Sequence, residues 1–288
     1  MSARSALKQS SRQLVAAAAR VLADAGVDTP LVDARLIAAD LLGLAPLEVN
    51  FAEVPDGFEE RYRERIARRA RREPLQHITG VAAFGPLELA VGPGVFIPRP
   101  ETEVLAEWAV RALAGVDKPR VVDLGTGSGA LAIAIAHARG DASVTAVDAS
   151  TVARDYAAAN ARRAGVSVDV VAGDFTDPGL LAPLRGRVDL VVSNPPYVPE
   201  NPGLSPEVYF DPHEAVFSGA SGMDAIRGLI PVAAALLAPG GALGIEHDEE
   251  TSELVLREVA AHGELGEPAV LRDLTGRARF VTASKVVR

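Results

Sequence analysis

The chain has 288 residues, 48% hydrophobic and 23% charged, a globular balance that excludes a disordered polymer and leaves room for about two domains. It has no cysteine, which excludes disulfides, thiolate metal sites and a thiol nucleophile, and fits a reducing compartment. The formal charge of −9 is uneven: residues 1–80 carry 12 Lys and Arg against 11 Asp and Glu, and the rest 17 against 27, an acidic body that argues against broad contact with a phosphate backbone.

In chain order, Arg4, Lys8, Arg12 and Arg20 interrupt the first Ala-rich stretch, so no signal-peptide core forms. Leu7, Leu14, Val15, Ala18, Val21 and Leu22 recur at helical spacing up to Gly26. A second helix is expected over 32–42, stopped by Gly43. A third, from about 58 to 72, carries Arg61, Arg63, Arg65, Arg68, Arg69, Arg71 and Arg72 and is broken by Glu73-Pro74. Residues 1–80 thus read as a helical domain. Gly85-Pro86, Gly92-Pro93-Gly94 and Pro98-Arg99-Pro100 punctuate 81–100 as a hairpin linker. From 101 to 288, apolar strands at 120–124, 143–147, 167–172, 189–193 and 242–246 alternate with helices, the pattern of an α/β fold with an open parallel sheet covered on both faces. Apolar pieces at 269–271 and 278–283 suit an antiparallel edge hairpin. The longest uncharged stretch, 229–245, is too short and too broken by Pro231, Pro239, Gly240 and Gly241 to span a bilayer. A cytoplasmic protein without membrane contact is expected.

The first strand of this sheet runs into Gly125-Thr126-Gly127-Ser128-Gly129. Glycines there permit a tight strand-to-helix turn and close backbone approach to a ligand, with free N–H groups at the helix start. Asp148 ends the next strand, where a carboxylate can accept from both hydroxyls of a ribose. An adenosine cofactor is expected; the turn alone is compatible with NAD or S-adenosyl-L-methionine.

Asn194-Pro195-Pro196-Tyr197 follows the fourth parallel strand, at the edge where open α/β sheets bind ligands. The prolines donate no backbone hydrogen bond and stiffen the chain. The Asn194 side-chain oxygen and the Pro195 carbonyl then form a rigid pair of acceptors, and Tyr197 offers a flat face for stacking. Two acceptors suit a planar NH2 group and reject a carboxylate. A planar amine beside an adenosine cofactor implies N-methylation.

Asn194-Pro195-Pro196-Tyr197 resembles the signature of methyltransferases that act on planar amino groups of adenine, guanine or protein glutamine. Together with Arg72-Glu73-Pro74-Leu75-Gln76-His77-Ile78-Thr79-Gly80, Gly94-Val95-Phe96-Ile97-Pro98-Arg99-Pro100-Glu101-Thr102-Glu103 and the glycine turn, nearly the whole chain is similar to the HemK/PrmC family. The resemblance implies a Rossmann-like class I methyltransferase sheet with an N-terminal helical substrate-docking domain. It implies S-adenosyl-L-methionine as cofactor and, as substrate, the glutamine of the Gly-Gly-Gln motif of class 1 peptide chain release factors. By position, Gly125, Thr126, Gly127, Ser128 and Gly129 would wrap the methionine part, Asp148 hold the ribose, and Asp174 and Phe175 meet the adenine. Asn194, Pro195, Pro196 and Tyr197 would bind the glutamine, with Phe96 packed over it; Asn194 would also touch the cofactor, and the 98–102 run would line the cofactor mouth. Asn194, Pro195 and Tyr197 are the expected catalytic group. His247 departs from the family, many members of which carry glycine there.

The five histidines lack metal-ligand spacing, and no metal is expected. The arginines of 61–72 read as a solvated helix face or, on this resemblance, as a docking surface for an acidic part of the release factor. The loop 198–221, with Pro199, Pro202, Pro206 and Pro212, has the length of a binding segment and is expected to order around the substrate. An amino methyltransferase for nucleic acid would share the Asn194 chemistry, but neither a basic body nor a target-recognition domain is visible.

Overall fold

The computed structural model describes residues 10–200 and 203–287; Arg4, Leu7 and Lys8 of the first stretch and Pro202 of the long loop lie outside them. The chain divides into two compact units, with the boundary between Gly80 and Val81.

The first unit is helical: α1 (Ser11–Asp24), α2 (Pro30–Leu42), α3 (Phe58–Ala70) and α4 (Leu75–Thr79). Ser10 and Gln13 form a reciprocal capping box that starts α1. Pro30 at its first turn starts α2, and Gly43, left-handed at φ 66°, ends it. Leu22, Ile37, Val49, Phe58, Tyr62 and Ile66 fill the core. The third helix stops at Ala70, two residues short of the expected end, because Arg72 turns left-handed (φ 67°) before Pro74 is reached. The structure also divides its arginines. Arg69 is buried and bonds Asp33 of α2 at 2.7 Å. Arg65 pairs with Asp40, Arg68 with Glu73, and Arg72 donates to the Gly26 carbonyl. Arg61, Arg63 and Arg71 are exposed.

The second unit opens with a hairpin, β1 (Val81–Phe84) and β2 (Leu87–Ala90). This hairpin belongs to the second unit and does not stand apart as a linker. It is held there by Asn160, which takes the Ala90 N–H at 2.7 Å and donates to the carbonyls of Ala90 and Ser128. There follow α5 (Thr102–Ala112), β3 (Arg120–Leu124), α6 (Ala130–Ala138), β4 (Ser143–Asp148), α7 (Thr151–Ala164), β5 (Asp169–Ala172) and β6 (Val188–Ser193). The chain closes with α8 (His213–Val216), α9 (Asp224–Leu236), β7 (Leu237–Glu246), α10 (Ser252–Ala261), β8 (Leu265–Arg272) and β9 (Ala278–Lys285).

Seven strands form one sheet in the order β5-β4-β3-β6-β7-β9-β8. Pairings from β5 to β7 are parallel and those of β9 with β7 and β8 antiparallel, so the expected edge hairpin is present. Two apolar clusters cover its faces, one around Val122, Val191, Ile226 and Ile245, the other around Val121, Val192, Leu105 and Ile133. Among the parallel strands, two differ from expectation by more than one residue. β5 begins at Asp169, shorter than 167–172. β7 begins at Leu237, since Leu237 pairs with Val188 before a bulge restores register at Ala242. No described helix is long and apolar enough to cross a membrane.

Candidate active site

The carboxyl ends of β3, β4, β5 and β6 open on one cavity of about 550 Å3. At the end of β3 the glycine turn is docked on β4 by the N–H groups of Gly125 and Thr126, both donating to the Val147 carbonyl at 2.9 Å. Gly125 sits at φ 75°, and a Cβ there would stand 3.4 Å from the Phe175 ring, so a side chain would crowd the aromatic wall. Gly129 sits at φ 87° with the turn pressed on α7: its Cβ would stand 3.2 Å from the Cα of Ala157 there, and 2.8 Å from Ile133 Cδ1 of α6.

Asp148 ends β4. Its Oδ2 accepts the Gly127 N–H and its Oδ1 the Ser150 N–H, each at 2.9 Å, and both oxygens keep further acceptor capacity. Burial pushes its pKa above the usual carboxylate value in spite of these bonds. Asp123, in β3, is more confined. Its Oδ2 accepts from the Thr126 hydroxyl (2.6 Å) and the Ala132 N–H (3.2 Å), while its buried Oδ1 has no partner. Desolvation pushes Asp123 up to about 7.

Asn194 leaves the end of β6. Its Nδ2 donates to Thr102 Oγ1 at 3.3 Å, the Thr102 hydroxyl donates to Glu246 Oε2 at 2.7 Å, and the Tyr197 hydroxyl donates to Glu246 Oε1 at 3.0 Å. Glu246 is buried, and desolvation pushes it up to about 7. Across the mouth, the Arg99 guanidinium lies 4.9 Å from the centre of the Phe96 ring and pairs with Asp211, whose Oδ1 takes the Ile97 N–H at 3.1 Å. Asp211 thereby anchors the long 198–221 loop, which also bonds itself through Val198 with Val216 and Ser218.

Of the residues singled out in the sequence, Gly125, Thr126, Gly127, Ser128 and Asp148 line the cavity. So do Asp174, Phe175, Asn194, Pro196 and Phe96, and from the 98–102 run Pro98 and Thr102. Gly129, Pro195 and Tyr197 are not on its wall. The Tyr197 ring packs against the apolar core and its phenol is held by Glu246, so the expected stacking face is turned away from the cavity. His247 is fully buried behind the strand end. Its Nδ1–H donates to the Asp248 carbonyl and its backbone N–H to Arg279, and burial lowers its pKa. The residues missed in sequence are Asp123, Glu246, Asp211 and Glu214. A carboxylate inside an apolar strand was a visible signal for the first two; Asp211 and Glu214 carried none.

A mostly parallel sheet with an antiparallel edge hairpin and a cavity at its carboxyl edge defines a Rossmann-like methyltransferase. Residues 89–204 match the methyltransferase small domain, and residues 13–80 the PrmC N-terminal domain. In fold alone, the chain is similar to the hMettl16 catalytic domain solved with a MAT2A 3′UTR hairpin (TM-score 0.53, 15% identity, covering 80% of this chain and 82% of that one). It is 57% identical to the release factor glutamine methyltransferase of Corynebacterium glutamicum over 93% of this chain and 96% of that protein. With the protein of that name from Mycolicibacterium smegmatis it shares 49% identity, over 96% and 98%. The chain belongs to the release factor glutamine methyltransferase family.

Proposed function

We propose that this enzyme transfers the methyl group of S-adenosyl-L-methionine to the side-chain amide nitrogen of the glutamine in the Gly-Gly-Gln motif of class 1 peptide chain release factors. The observation that carries the choice of cofactor is the chemistry of the cavity wall: among the described residues Asp123, Asp148, Asp174 and Glu214 line it, with no Lys, Arg or His; the family membership supports the substrate. Such a wall repels the two phosphates of a dinucleotide and attracts a ligand bearing a sulfonium and an ammonium. The partnerless Oδ1 of Asp123 fits the ammonium, Asp148 the ribose hydroxyls, and Asp174 with Phe175 the adenine. The glycine turn, with no side chain at Gly125 or Gly127, lets the methionine part lie against its backbone.

The cofactor, when bound, supplies an electrophilic methyl group on its sulfonium. An amide nitrogen is a weak nucleophile because its lone pair is delocalised, as its ~18–20 kcal/mol rotation barrier records. The protein's part is orientation, an effect of roughly 7–11 kcal/mol when complete. Asn194 Oδ1 and the Pro195 carbonyl accept the two N–H groups of the substrate amide and aim its nitrogen into the cavity, with Phe96 packed over the side chain. Residues 1–80 serve as the docking domain and 101–288 as the catalytic domain.

Labelled S-adenosyl-L-methionine should mark the glutamine of a release factor, and leave nucleic acid and a Gln→Ala release factor unmarked. Asn194→Ala should lower turnover by about 100-fold or more while cofactor affinity stays within about twofold. Near-normal turnover by that variant overturns the assignment.

A further inference from the structure

The side-chain amide of Asn194 has two faces of opposite chemistry, and only one suits the reaction. With Oδ1 toward the substrate it accepts from an NH2 group; flipped by 180° it would present donors to donors and favour a carboxylate. Thr102 touches the Nδ2 side at 3.3 Å. A hydroxyl alone cannot enforce that choice, since it can donate to Oδ1 as readily as accept from Nδ2. The choice is made one bond further back. Thr102 has a single proton, and it lies 2.7 Å from Glu246 Oε2. The two hydroxyls that donate to Glu246 favour its ionised form against the burial that opposes it; in that form the carboxylate only accepts, so the Thr102 proton is committed and its oxygen is left to accept from Asn194. The Tyr197 phenol, 3.0 Å from Glu246 Oε1, can only donate there, which leaves both oxygens of this carboxylate occupied as acceptors.

The geometry points to Thr102 and Glu246 as positioning residues that set the polarity of the hydrogen-bond chain and thereby hold Asn194 with its oxygen toward the substrate amide. The inference rests on the proposed role of Asn194. It extends that role to the specificity for an amide over an acid. Neither residue needs to touch substrate. Thr102 stands at the start of α5 and Glu246 at the end of β7, both buried, so the chain is held by two elements of the rigid scaffold.

The test compares Thr102→Ser, Thr102→Val and Glu246→Gln with the parent enzyme in release-factor methylation. Cofactor affinity is measured by titration calorimetry, and competition by a Gln→Glu release factor reads amide-over-acid preference. Thr102→Val keeps the shape and removes the hydroxyl; Glu246→Gln keeps the shape and admits a donor. Both should lower kcat by about tenfold or more, with cofactor affinity within about twofold, and both should narrow the preference for the Gln factor over its Glu counterpart. Thr102→Ser should stay within about threefold of the parent. Parental kcat and preference in Thr102→Val, or Thr102→Ser as impaired as Thr102→Val, overturns the inference. If Glu246→Gln does not fold, the Ser and Val pair decides alone. Asn194→Ala run in parallel separates the two levels: full turnover there sinks the role of Asn194 itself, whereas an inactive Asn194→Ala beside a fully active Thr102→Val sinks only the positioning chain.

Discussion

The helical unit and the strand ends of the sheet unit treat buried charge in opposite ways, although the sheet unit also pairs its buried Asp211 with Arg99. In the helical unit the buried Asp33 is answered by Arg69 at 2.7 Å and by the Thr29 hydroxyl, and Arg65 and Arg68 are matched by acids. In the sheet unit Asp123, Asp148 and Glu246 are withdrawn from water at the strand ends, and among the described residues no cation forms an ion pair with them. A buried carboxylate already paired has its structural role filled. One held only by N–H and O–H donors retains capacity for a further partner, and desolvation keeps the demand for that partner high. The contrast separates charge that builds the fold from charge kept for the site, where Asp123 and Asp148 line the cavity and Glu246 orders the hydroxyls beside Asn194.

The largest stability effect should come from breaking the paired side. Arg69→Met leaves Asp33 buried without its cation, and denaturant unfolding should show a loss of about 3–5 kcal/mol in the helical unit, mostly recovered by adding Asp33→Leu. On the unpaired side, Asp123→Asn should leave the ligand-free protein as stable as before or more so. Its cofactor affinity should fall by about 1.5–3 kcal/mol, the worth of a charged hydrogen bond, read by calorimetry. A loss of stability in Asp123→Asn comparable to that in Arg69→Met would erase the contrast.

A smaller effect follows from pH. Asp123 is raised from the ordinary carboxylate value to about 7. Between these values the native state holds the proton and the unfolded state does not, so this group's contribution to stability falls as pH rises toward 7. A cationic ligand favours the ionised form. The thermal shift produced by S-adenosyl-L-methionine should therefore grow from about pH 6 to about pH 7.5, and Asp123→Asn should flatten most of that rise. An equal slope in the variant would place the titration elsewhere.

The sheet, the glycine turn with Asp148 and the Asn194 corner were legible because each is written in adjacent residues: an apolar strand, then a turn whose chemistry only certain residues supply. What stayed hidden depends on partners distant in sequence. Thr102 meets Glu246 across 144 positions and Ile97 meets Asp211 across 114, and no periodicity links them. The direction of Tyr197 was misread for the same reason, since its orientation follows from the acceptor at Glu246 and not from its neighbours. The long β7 was missed because Pro239-Gly240-Gly241 reads as a turn, although a bulge lets the strand run through it.

The arginines of 61–72 allow the finest test of the comparison. As seven similar residues they form one basic stripe, yet the fold assigns Arg65, Arg68, Arg69 and Arg72 to partners within the helical unit and leaves Arg61, Arg63 and Arg71 exposed. Reversing the exposed three to Glu should change unfolding free energy by no more than about 0.5 kcal/mol each, the range of surface substitutions. Cofactor affinity should not move. If this face docks an acidic part of the release factor, KM for the factor should rise several-fold and the rise should shrink at high salt, because only long-range attraction between exposed charges is screened. A KM unchanged by the reversal would return these three arginines to the solvated face of a helix, and the docking function of the unit would have to reside in its other surfaces.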